Sequence, residues 1–161
     1  MKTKLLYYKN MNRSLNPVKF LTEEEKKLVE EAIKKAEKET SGEIKVYIDR
    51  FCWDRIEDKA ARIFKKLKLD KTKERNAVLI YLVTTNREFL IYGDEGIHKK
   101  VGAHFWEDVK NRMVENFKEG NFGKGIAEAV ENIGKKLKKF FPYKKGDINE
   151  ISDEIEYGKE D

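Results

Sequence analysis

The stretch Gly93-Asp94-Glu95-Gly96 sets two carboxylates between two glycines where an apolar run ends, and His98 follows two residues later. Carboxylates held close together can ligate a hard cation such as Ca2+ or Mg2+, which prefers oxygen donors. Glycines on either side let the backbone come close to a ligand. Such a turn could also be ordinary turn chemistry, with Asp94 bonding its own backbone. Which reading holds depends on what the rest of the chain brings alongside.

Alternation and helical spacing supply the elements. Thr22 and Glu25 fit a capping box ahead of a helix with the apolar stripe Leu28, Val29, Ala32, Ile33 and Ala36, and Ser41-Gly42 stops it. Ile44, Val46 and Ile48 alternate with Lys45, Tyr47 and Asp49, which predicts a strand with one buried face. Asp54 is placed to cap a second helix buried through Ile56, Ala60, Ile63, Phe64 and Leu67. The continuous run at 77–83 predicts a strand covered on both faces, and 88–93 runs back from it as a hairpin. Two more helices follow, with stripes at Phe105, Val109, Met113 and Phe117, then at Ile126, Val130, Ile133, Leu137 and Phe140 or Phe141. The order predicts a three-layer α/β/α sandwich. Its small mixed sheet has a parallel pair and an antiparallel hairpin strand, with helices on both faces. The predicted organisation is an arm over 1–20, a domain over 21–142 and an acidic, mobile tail over 143–161.

This topology returns to the carboxylates. The starts of the two parallel strands and the end of the antiparallel one share an edge of the sheet. That edge would collect Ser41, Gly42, Glu43, Thr72, Arg75, Asn76, Gly93, Asp94, Glu95, Gly96 and His98. Glu43, Asp94 and Glu95 are the candidate cation ligands. Arg75 could grip a phosphate oxygen or simply pair with a carboxylate.

Other chemistry is excluded by pattern. Cys52 has Asp58, not arginine, six residues on, so a thiolate phosphate cradle is unsupported. Asp70-Lys71-Thr72 continues with Lys73-Glu74 and does not complete an aspartyl-phosphate motif. There is no P-loop, zinc spacing, EF-hand glycine or specific nucleic-acid motif, and nothing calls for an organic cofactor. Formal net charge is +5, with three lysines against seven acidic residues after Pro142, so residues 1–142 carry +9. That surplus would suit an acidic or phosphorylated partner. The lysine-rich stretch 135–139 could meet an anionic surface or be a solvated helix end, and Trp53, Phe105 and Trp106 could dock a partner or fill the core. No run is long enough to span a bilayer, and the basic start has no signal-peptide apolar core, which predicts a cytoplasmic protein.

Ser41-Gly42-Glu43 before a strand, Glu74-Arg75-Asn76 opening 77–83, the Gly-Asp-Glu-Gly turn, Val101-Gly102-Ala103-His104-Phe105-Trp106 and Phe117-Lys118-Glu119-Gly120 together resemble the TPM domain family. That family is named for a thylakoid lumen protein, a photosystem repair protein and a modulator of a levamisole receptor. The resemblance covers about residues 20–142 and implies an α/β/α sandwich, divalent-cation binding and, in some relatives, weak acid phosphatase activity. Gly42, Glu43, Asn76, Glu95 and Gly96 stand at its motif positions. Ala77 stands where the pattern usually has glycine, and many relatives are exported or anchored. Two functions remain in play: a non-catalytic, cation-binding interaction or assembly module, and a weak metal-assisted phosphomonoesterase.

Overall fold

The computed structural model describes residues 2–4, 13–102, 104–146 and 151–158. Among the described residues its sheet has the strand order Lys2–Lys4, Glu88–Gly93, Ala77–Val83, Glu43–Asp49, Glu156–Tyr157. Strand β2 (Glu43–Asp49) runs parallel to β3 (Ala77–Val83), with Glu43 opposite Ala77. Strand β4 (Glu88–Gly93) returns antiparallel, with Val78 opposite Gly93. Short strands close the two edges: β1 (Lys2–Lys4) on β4, and β5 (Glu156–Tyr157) on β2.

Alternation along each strand divides the interior into two cores. Ile44, Val46, Ile48, Val78, Ile80, Leu82, Phe89 and Ile91 pack with α1 (Pro17–Phe20), α2 (Glu23–Glu37), α5 (Glu107–Lys118) and α6 (Phe122–Phe140). Tyr47, Leu79, Tyr81, Val83 and Leu90 meet α3 (Ile56–Lys66) on the other side. This is the expected α/β/α sandwich. The capping box also forms: Glu25 N donates to Thr22 Oγ1 at 3.1 Å, and Thr22 N donates to Glu25 Oε1 at 3.0 Å.

Several local expectations change. Leu28 lies on the outer side of α2 and is exposed, while Val29, Ala32, Ile33 and Ala36 are buried. Asp54 precedes the N-cap position of α3, held by Arg55, and pairs with Arg62 instead. Both faces of β2 are buried, because α3, Ile151 and the Ser152 and Glu154 carbonyls cover the face assigned to solvent. Trp106 is in the core but Trp53 is 88% exposed, so the suggested aromatic patch does not form as one surface. The arm is packed from Arg13 onward: Arg13 pairs with Glu25, and Phe20 meets Phe122 edge to face. Residues 1 and 5–12 of that arm lie outside the described residues. In place of a mobile tail, residues 151–158 lie along β2 with Ile155 buried. Local composition is acidic there, but buried Ile155, the pairing with β2 and the Lys45 ammonium group seat it. Residues 147–150 and 159–161 lie outside the described residues.

A polar cluster ties β2 and β3 to α3. Buried Asp49 accepts from Tyr81 Oη at 2.7 Å and pairs with Lys59 Nζ at 2.7 Å. Burial, then this hydrogen bond, pushes the Tyr81 phenol well above its ordinary pKa. Tyr81→Phe removes one bond and leaves Asp49 paired with Lys59. It should cost about 1 kcal/mol, read from the denaturant midpoint.

Candidate functional site

Three loops meet at one edge of the sheet, as the topology requires. The middle loop is shaped first. Asn76 N donates to Thr72 Oγ1 at 3.2 Å and Arg75 N to Thr72 O at 3.2 Å. This places Arg75 at φ 51°, in the left-handed region that costs a non-glycine residue energy. The third loop is a one-turn helix, α4 (Glu95–His98), capped by Asp94, whose Oδ1 accepts from Glu95 N at 2.8 Å. Gly96 N donates to Arg75 O at 2.9 Å, clipping the two loops together.

The side chains then close on one another. Arg75 forks onto Asp94, with Nε to Oδ2 at 2.7 Å and Nη2 to Oδ1 at 3.0 Å, and Nη1 reaches Glu95 Oε1 at 3.3 Å. Bidentate geometry of this kind is the strong form of the contact. The Asp94 hydrogen bond raises the Arg75 pKa above its ordinary value. Asp94 is buried, whereas Arg75 and Glu95 are 40% and 55% exposed, so the fork has a wet outer side. From the first loop, Ser41 Oγ donates to Glu74 Oε2 at 2.8 Å and accepts from Asn76 Nδ2 at 3.3 Å. Gly42 lies inside: its N–H donates to Thr40 Oγ1 at 3.1 Å, and a Cβ there would sit 2.8 Å from Leu137 Cδ1.

Three candidate residues go elsewhere. Glu43 is buried at the start of β2 but keeps company with Glu37 and Asp153, not with Asp94 and Glu95. Gly93 and His98 line a separate cavity of about 240 Å³, together with Glu57, Tyr92, Val101 and Trp106. Among the described residues no three His, Cys, Asp or Glu side chains are grouped to hold a metal. A cation at Asp94 and Glu95 would have to compete with the Arg75 guanidinium. Glu74, which fixes the Ser41 hydroxyl, is absent from the sequence-based set. Its only signal there is adjacency to Arg75 in a charged link. Lys45 is also absent, since strand alternation places it with the solvent-facing residues.

No helix among the described residues is long and apolar enough to cross a membrane. None of the curated proteins compared with this chain matches it. Among solved structures, the NMR structure of BA42 protein from the psychrophilic bacterium Bizionia argentinensis is similar at 43% identity and a TM-score of 0.83. The match covers 87% of this chain and 97% of that one. A model of the TPM domain matches residues 15–136, the stretch that carries all three loops of the corner. The chain belongs to the TPM domain family.

Proposed function

We propose that the chain is a cytoplasmic, non-catalytic interaction module for an acidic partner, whose corner takes a divalent cation only in competition with Arg75. The observation that carries this reading is the fork itself. Arg75, the one corner group suited to a phosphoryl oxygen, is spent on Asp94 and Glu95. The surplus of +9 on residues 1–142 supports an acidic partner. Phosphomonoester hydrolysis is the second reading, favoured by the Ser41 hydroxyl donating to Glu74, a nucleophile–base type of contact.

Calcium, magnesium or manganese titrated into the protein should move the amide signals of residues 94–96 without phosphomonoester turnover. Arg75→Gln frees two carboxylates and should tighten cation binding about tenfold, because affinity in such sites follows the ligand charge available. Turnover lost on Ser41→Ala or Glu95→Gln, with the fold intact, would establish the hydrolase and end the module reading. Unchanged cation affinity in Arg75→Gln would end the competition at the corner.

A further inference from the structure

The exposed edge of β2 is filled by a segment beyond the 15–136 stretch that matches the TPM domain. Its centre is Lys45, only 2% exposed, whose Nζ donates to Ser152 O at 3.1 Å and Glu154 O at 2.6 Å and pairs with Glu156 Oε1 at 3.2 Å. A buried ammonium group needs such acceptors, because desolvating it alone is costly. On the α2 side Ile155 is buried, and its N–H donates to Glu30 Oε2 at 3.1 Å. On that same side Lys26 Nζ stands 5.6 Å from the Tyr157 ring centroid, and Gly158 N donates to Ile48 O at 2.8 Å. The segment runs parallel to β2, pairing Tyr47 with Glu156 and Ile48 with Tyr157.

We propose that this edge of β2 is a receptor groove for an extended acidic segment of a partner protein, and that residues 151–158 are its built-in, displaceable occupant. Addition of a strand to a free sheet edge is a general mode of peptide recognition, with main-chain bonds giving affinity and side-chain seats giving selectivity. The seats here specify an aliphatic residue, then an acidic one, then an aromatic residue, then glycine. Glycine is required because a Cβ at Gly158 would lie 2.0 Å from Asp49 Oδ1. Lys45 favours an acidic side chain at the position of Glu156, while Glu30 on the same edge takes a main-chain N–H. Its resident strand is loosely latched: the ladder is two residues long, and docking sets Asp153 beside Glu37. A carboxylate brought beside another disfavours ionisation of the pair and hence the docked state. The inference rests on the module reading and names the surface and partner chemistry for it.

The test uses the full chain with its own segment unseated, by Gly158→Val and, independently, by Ile155→Asp. The probe is a fluorescently labelled synthetic peptide of residues 151–158, followed by anisotropy. Both variants should bind it at least about tenfold more tightly than the parent, whose groove is occupied. A scrambled peptide should not bind, and adding Lys45→Met to either variant should remove the binding. Equal binding by parent and variants, no binding by variants with native near-ultraviolet circular dichroism, or binding indifferent to Lys45→Met would each overturn the proposal. The phosphomonoester assay stays separate. Failure of the peptide to bind without turnover removes this groove alone, whereas turnover removes the module reading.

Discussion

Gly96→Ala should lower stability by about 3 kcal/mol, the upper end of the usual cost of overpacking. An added Cβ would lie 2.2 Å from Glu74 O and 2.5 Å from Arg75 O. Both are main-chain atoms, so no rotamer change relieves the clash. The loops would have to part, and the Gly96 N to Arg75 O bond and the Arg75–Asp94 fork would weaken with them. Gly102→Ala is the matched control, since no atom of the described residues beyond its chain neighbours lies within 4 Å of a Cβ there. It should change stability by less than about 0.5 kcal/mol. Denaturant midpoints for the two variants check the claim. Equal midpoints would show that the loop junction contributes nothing to stability.

Gly96 also marks how far the sequence could be read. Its glycine was legible as a close backbone approach, but what approaches is the chain's own Glu74–Arg75 carbonyls rather than a ligand. The meeting of 41–43, 74–76 and 93–96 was legible because strand direction follows from connections. A helix between two apolar strands forces a parallel pair, and a short turn forces an antiparallel one. Pairing inside the corner was not legible. Arg75 could have chosen Glu43, Asp94 or a ligand by type and spacing alike. The left-handed backbone at Arg75, with Asp94 capping a turn of helix, aims the guanidinium at one of them.

Glu43 was misplaced for a related reason. The first residue of β2 sits on the face of Lys45, Tyr47 and Asp49, and alternation assigns that face to solvent unless something covers it. Here α3 covers part, and the distant segment 151–158 covers the rest. Nothing local to Lys45 announces an acidic strand more than a hundred residues away. Nothing local to 151–158 distinguishes an edge strand from a solvated tail, since Ile155 and Tyr157 are its only conspicuous apolar anchors after Ile151. Pairing between segments so far apart is set by tertiary packing, which period and propensity do not encode.

Raising the pH should release residues 151–158 from β2. Burial, then the hydrogen bond to Asp153 and the charge of Glu43, holds the Glu37 pKa well above its ordinary 4.5 while the segment is docked. Release removes the hydrogen bond and charge of Asp153, so the Glu37 pKa falls toward that ordinary value. The docked form therefore binds the extra proton. Its advantage is complete at low pH and is lost as pH rises from the released pKa toward the docked one. Within that window the docked-to-released ratio should drop by up to about tenfold per pH unit. Methyl signals of Ile155, buried when docked, report the two populations between about pH 5 and pH 8. Glu37→Gln keeps a neutral group of the same shape beside Glu43 and Asp153, so it should flatten the profile and hold the segment in place at the upper end. A ratio independent of pH in the parent, or an unchanged slope in Glu37→Gln, would show that this proton does not govern docking.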